Sequence, residues 1–137
     1  MKKNKIFLYT DGGSRGNPGS AAIAIVVCDE NKNIIHEYKE CIGEATNNEA
    51  EYIALKKGLE IVAGICRDEI YCFSDSELLV KQLNGNYRIK APNLRDIYYK
   101  IKERENSFKE ITYNHLSRDN IIIQKCDKLV NQALDDE

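Results

Sequence analysis

The chain predicts an α/β fold: one five-stranded mixed sheet, built as a three-strand antiparallel meander plus two further strands, flanked by helices. Three observations predict it. Three runs rich in apolar and β-branched residues follow one another up to Cys41, separated by short polar turns. From Asn47 the apolar residues change to helical spacing. Two later strand-like runs then alternate with helical stretches, giving the order βββαβααβα and a mixed sheet with helices on its faces.

Each element has a local reason. Ile6 to Thr10 is a short apolar, β-branched run, enough for one buried strand, with Asp11 at its end. Gly12 to Gly19 holds four of the eight glycines and one of the two prolines, and reads as a Gly-rich loop. Ala21 to Cys28 is continuously apolar, as a buried strand must be. Because a strand follows the glycines, the dinucleotide fingerprint, which requires a helix there, is excluded. Asp29 to Asn33 is a polar turn, and Ile34 to Cys41 a more polar edge strand. Ala50, Ala54, Leu55, Gly58, Leu59 and Val62 mark the apolar face of a helix over Asn47 to Val62. Glu69 to Phe73 is the fourth strand, Ser76 to Leu83 a short helix and Asn84 to Asn86 a loop. Pro92 suits the first turn of a helix running to about Glu105. Phe108 to Asn114 alternates as the fifth strand, and the last helix lies between about Asn120 and Leu134.

At 137 residues the chain fits a single domain, residues 1–137. No repeat, linker or low-complexity segment interrupts it. Apolar and charged fractions of 42% and 31% are those of an ordinary globular protein. No segment is long enough to span a bilayer. The basic start, Met1 to Lys5, leads into too short an apolar run for a signal peptide. Cys28, Cys41, Cys66, Cys72 and Cys126 are an odd set without a C-x-x-C pair. They read as reduced, mostly core thiols of a cytoplasmic protein, not as a zinc site. A net charge of −2 does not announce a binder of polyanions. Such a partner must be held by local basic patches, backbone amides or bound metal ions. Nothing points to an oligomer, so a monomer is expected.

The chemistry-bearing residues are carboxylates. Two-metal phosphodiester hydrolysis needs several converging on one point, holding two Mg²⁺ ions about 4 Å apart. Carboxylates, not His or Cys, are the ligands for Mg²⁺. Asp11 beside the glycines suits a hard cation or a phosphate; equally, Asp11-Gly12 suits the opening of a tight hairpin. In Thr46-Asn-Asn-Glu-Ala-Glu-Tyr52, Thr46 and Glu49 fit a capping box, which leaves Glu51 as the acid without a structural task, or as a solvated helix residue. Asp75 follows the fourth strand, a natural ligand-binding position. Ser74 and Glu77 also fit a capping box, with Asp75 favouring the helix dipole in the first turn. Asp127 on the last helix is, taken alone, a solvated charge.

Together these segments resemble the type 1 ribonuclease H family, in its compact form lacking the basic protrusion, over nearly the whole chain. Tyr9-Thr-Asp-Gly-Gly-Ser-Arg-Gly-Asn-Pro-Gly19 is similar to its first motif, Thr46-Asn-Asn-Glu-Ala-Glu-Tyr52 to its second and Ser74-Asp-Ser76 to its third. The resemblance implies a ribonuclease H-like fold and metal-dependent endonucleolytic cleavage of the RNA strand of RNA–DNA hybrids, leaving 3′-hydroxyl and 5′-phosphate ends. It implies Asp11, Glu51, Asp75 and Asp127 as catalytic metal ligands, for two Mg²⁺ ions with Mn²⁺ as a substitute. It implies Asn17, Asn47 and Asn48 at the RNA strand near its 2′-hydroxyls, the groups that distinguish RNA from DNA. Backbone amides of Gly12, Gly13 and Ser14 would assist, and Thr46 would help to hold a phosphate of the DNA strand. Helix capping is the plain alternative for Thr46, Asn47 and Asn48.

The chain departs from the family pattern in three places. Relatives usually place an Asn about one helical turn before the fourth carboxylate; here Ile123 stands there, Asn120 is seven residues before Asp127, and Ile121 to Ile123 lengthen the segment. His115 is out of register with the mobile His of bacterial relatives and reads as a structural strand-end residue. The chain has no Trp, and Leu83 to Pro92 is short where relatives carry a protrusion. Arg88, Lys90, Arg95, Lys100, Lys102 and Arg104 on that side suit either phosphate contact or a solvated face. Weaker, more salt-sensitive binding of the hybrid is therefore expected. The alternatives are a non-catalytic hybrid- or duplex-binding module of the same fold, or a related superfamily nuclease acting on DNA. The full carboxylate set argues against the first, and the Asn residues against the second.

Overall fold

The computed structural model describes residues 5–85 and 88–137. Its elements are β1 (Lys5–Gly16), β2 (Gly19–Cys28), β3 (Ile34–Ala45), α1 (Asn47–Ala63), β4 (Glu69–Ser74), α2 (Glu77–Leu83), α3 (Pro92–Glu105), β5 (Glu110–His115) and α4 (Ile121–Asp135). The sheet order is β3-β2-β1-β4-β5. β1 to β3 form the antiparallel meander, and β4 and β5 add in parallel on the far side of β1. The expected fold is the observed one. Asn86 of the expected loop and Met1 to Asn4 lie outside the described residues.

Alternation along β1 divides the molecule into two cores. Ile6 and Leu8 face α1, where Ile25, Leu55, Leu59 and Ile70 join them; α3 packs behind α1. Phe7 and Tyr9 face the other way, toward α4 and its Ile123, Cys126 and Val130. β2, central and covered on both faces, is buried at every residue from Ala21 to Cys28, which is why its sequence shows no polar alternation. Each fully buried Leu or Ile contributes about 1.5–3 kcal/mol by leaving water. The sheet is thereby a stiff platform for side chains at its upper edge.

The structure corrects three local expectations. Residues 12–16 are not a loop: β1 runs through them because β2 continues to pair, from Asp11 with Ala24 to Gly16 with Gly19. The hairpin turn is at Gly16 to Gly19, where Gly16 takes φ 134°, so Asp11-Gly12 opens no hairpin. β3 extends to Ala45, because a bulge opposite Ala21 and Ala22 leaves Ile42 out of the ladder and lets pairing resume at Gly43, φ 81°. The cap of α2 is Ser76, not Ser74: Ser76 Oγ accepts the Leu79 N–H at 3.2 Å, while Ser74 Oγ accepts the N–H of Ser76 at 3.0 Å. Asp75 therefore precedes the helix and is not part of its first turn. Elsewhere α3 starts at Pro92 as the sequence predicts, and Asn120 caps α4, its Oδ1 accepting from Ile122 and Ile123. Ile121 to Ile123 form the first turn of α4, with Ile123 buried.

All five cysteines are free thiols. Among the described residues, no helix is long and apolar enough to cross a membrane.

Candidate active site

Strand register brings the first two acids together. The parallel β1–β4 ladder ends at the pair Tyr9 and Phe73. Asp11 lies two residues beyond Tyr9 and Asp75 two beyond Phe73, so both stand past the C-terminal end of the parallel pair, where open α/β sheets bind ligands. Asp11 is buried and Asp75 partly so.

α1 delivers the third. Thr46 caps it: Thr46 Oγ1 accepts the Glu49 N–H at 3.1 Å, and Glu49 Oε1 accepts the Thr46 N–H at 2.9 Å. The reciprocal bonds occupy Glu49 at the helix start, as its spacing predicts. Glu51 turns the other way, and its Oε1 accepts the Gly12 N–H at 2.6 Å. Only glycine permits this approach at position 12, since a Cβ there would stand within 3.0 Å of the Ala50 carbonyl group and the Glu51 nitrogen. One ligand oxygen each from Asp11, Glu51 and Asp75 falls within 4.8 Å of the others. Asp127 stands outside this trio. It is exposed on α4, on the wall of the same cleft, which encloses about 520 Å³.

The trio is electrostatically costly. Burial, and then the negative charges of Asp75 and Asp127, push Asp11 up from 3.8 to about 7. Burial first, then Asp11 and Asp75, hold Glu51 well above the usual carboxylate range. Arg118 Nε offers Asp75 one contact, 3.4 Å from Oδ2. Clustered oxygen donors, strained by their own charge and with no His or Cys ligand in the group, fit a hard divalent cation such as Mg²⁺.

The polar residues around the trio tie β1 to the start of α1. Asn17 Oδ1 accepts the Asn47 N–H at 3.0 Å, and Asn47 Oδ1 accepts the Ser14 N–H at 2.8 Å. Of the amides expected to assist at the substrate, those of Gly12 and Ser14 donate within the protein, to Glu51 and Asn47. Gly13, Asn47 and Asn48 line the cleft, with Asn47 and Asn48 exposed. His115 ends β5 as an exposed residue, paired in register with Ser74. Of the expected basic face, Arg104 is bound to Glu60 through two nitrogens at 3.2 and 3.0 Å, and Lys102 to the Leu83 carbonyl and Glu105. These two are structural ties and not free cations: Arg104 joins α3 to α1, and Lys102 joins it to the end of α2.

Sequence reasoning missed Arg15, Arg118, Gln124 and Asn131, which also line the cleft. Gln124, Asp127 and Asn131 share one helical face by their spacing, a readable signal. Arg118 carries none; its place depends on how residues 116–120 fold over β4.

A family profile described as reverse transcriptase-like matches residues 9–133. The ribonuclease HI of Halobacterium salinarum is 39% identical over 132 residues, covering 96% of this chain and 65% of that protein. A bifunctional protein of Mycobacterium tuberculosis is 36% identical over 96% of this chain and 36% of its own length. The chain thus spans less than two thirds of either relative. Among solved structures, the RNase H1 of Halobacterium salinarum superposes with a TM-score of 0.92 at 38% identity, covering 97% of this chain and 99% of that one. LC11-RNase H1, solved in complex with an RNA/DNA hybrid, gives 0.89 at 39% identity, covering 96% and 97%.

Proposed function

Since the chain belongs to the type 1 ribonuclease H family, we propose that it is a metal-dependent endonuclease hydrolysing the RNA strand of RNA–DNA hybrids, with 3′-hydroxyl and 5′-phosphate products. The observation that carries this reading is the trio Asp11, Glu51 and Asp75, with one oxygen each inside 4.8 Å at the edge of the parallel strands. Asp11, Glu51 and Asp75 would hold Mg²⁺, with Asp127, which lines the same cleft, as the further ligand of a second ion. Bound there, two ions supply Lewis-acid stabilisation of the phosphate and an acidified water.

The protein's own groups do the positioning. Gly12 N–H holds Glu51 over β1, and the thirteenth to seventeenth residues are clamped to α1 by Asn17 and Asn47. Those Asn residues use their amide oxygens internally, so their NH₂ groups remain to donate to 2′-hydroxyls. Thr46, already engaged in the cap, stands beside them for a DNA phosphate. The single sheet supports the reading of residues 1–137 as one domain, and five free thiols suit the reducing cytoplasm, where we take it to act as a monomer.

The test is an end-labelled RNA–DNA hybrid incubated with Mg²⁺, Mn²⁺ or EDTA, beside the D75N variant, with single-stranded RNA and double-stranded DNA as controls. Metal-dependent cutting of the hybrid's RNA strand alone, absent in D75N, is the expected result. Binding without cutting in either metal would reject catalysis, and cutting of DNA would reject the substrate.

A further inference from the structure

The turn before α4 hangs one basic side chain over the acidic trio. The Leu116 N–H donates to the Ser74 carbonyl at 2.9 Å, tying the segment after β5 to the residue just before Asp75. A turn closed by Asn120 N–H to Ser117 O at 3.0 Å, and by Asp119 N–H to Ser117 Oγ at 3.2 Å, then presents Arg118 to the cleft. Its side chain is 89% exposed, and its Nε stands 3.4 Å from Asp75 Oδ2. Arg15, the other basic residue lining the cleft, is paired instead with Asp135 at 2.6 Å, which is not among the cleft-lining residues. Among the described lining residues, Arg118 is therefore the one cation paired with a cleft carboxylate.

We infer that Arg118 is a positioning residue with two alternating partners: it is the counter-cation of Asp75 while no divalent ion is held there, and it turns to a phosphate of the nucleic acid once such an ion takes Asp75. The inference rests on the nuclease reading for its second partner. A single long contact from an exposed side chain is weak and readily given up. A divalent cation on Asp75 reverses the sign of the local field, so the guanidinium that was attracted is repelled. Its flexible stem lets the head swing outward, while the turn at residues 117–120 keeps its base at the cleft rim. A guanidinium released there meets the phosphate backbone in the fork geometry that suits it. The resident cation thus opposes metal loading and favours substrate once loading has occurred.

Calorimetric titration of MgCl₂ into metal-free wild type, R118Q and R118K, without nucleic acid, tests the first partner. R118Q is expected to bind Mg²⁺ roughly two- to fivefold more tightly, the size of an exposed ion pair, with R118K close to wild type. Fluorescence anisotropy in saturating Mg²⁺, using a hybrid whose RNA strand is 2′-O-methylated and so resists cleavage, tests the second. The slope of log affinity against log salt should lose about 0.9 in R118Q, one phosphate contact, and recover in R118K. Equal or weaker Mg²⁺ binding by R118Q overturns the competition, and an unchanged slope overturns the phosphate contact. Neither readout needs turnover, so failure to cut hybrid would reject the proposed activity without deciding this inference.

Discussion

Replacing Asp11 by Asn removes charge from the most crowded point of the cleft, and its consequence for stability depends on pH. Asp11 is pushed up from 3.8 to about 7 by burial and by its charged neighbours. The folded carboxyl therefore holds its proton more tightly than the unfolded one. Between pH 3.8 and about 7 the folded state carries the additional proton, so stability falls as pH rises through that window. The penalty is absent below the lower value and complete above the upper. At about 1.4 kcal/mol per pH unit, a rise of about 3 units sets a ceiling near 4 kcal/mol. The Asn amide must also take over the carboxyl's contact with Glu51, and an unmatched buried polar group costs about 1–3 kcal/mol. D11N should thus be more stable than wild type by about 1–3 kcal/mol at pH 8, and no more stable at pH 4. Urea unfolding in EDTA at pH 4, 6 and 8 measures the difference. Added Mg²⁺ at pH 8 should narrow it, because the ion stabilises the wild type selectively. A difference that stays constant across pH would refute the argument that crowded, buried carboxylates set it.

Three further outcomes follow from the geometry. D75N should abolish hybrid cleavage while its metal-free melting temperature stays equal or rises by up to about 5 °C, since the repulsion lost outweighs one exposed contact with Arg118; a marked fall in a thermal melt would contradict this. Gly12→Ala forces a Cβ within 3.0 Å of the Ala50 carbonyl group and the Glu51 nitrogen, and should cost about 1–3 kcal/mol or more in denaturant unfolding, along with most of the cleavage rate, because α1 and Glu51 must move off β1. Thr46→Ala removes one half of the capping box and should cost about 1 kcal/mol; a hybrid KM that rises beyond what R118Q produces would add a phosphate contact to the capping role.

The family and most of the architecture were legible in the chain itself. Apolar, β-branched runs split by short polar turns, period near 3.6 from Asn47, and Pro92 at a helix start are local signals, and each survives in the structure because packing reinforces it. The division of labour between Glu49 and Glu51 was legible too, since the capping box is a relation between residues three apart. What sequence could not show were relations across the sheet. β1 continues through the glycines only because β2 pairs with it there, so a stretch that reads as a loop is a strand. Asp11 and Asp75 face each other through the Tyr9–Phe73 register, a pairing of segments far apart in the chain. The freedom of a backbone amide is decided the same way: the N–H groups of Gly12 and Ser14 are spent on Glu51 and Asn47. Residue types and short spacings determined which groups are present and which helix faces they share. The tertiary structure alone decided which of them meet, because strand register and helix approach are set by cores on both sides of the sheet, and so placed Arg118 beside Asp75 and left Asp127 outside the trio in the same cleft.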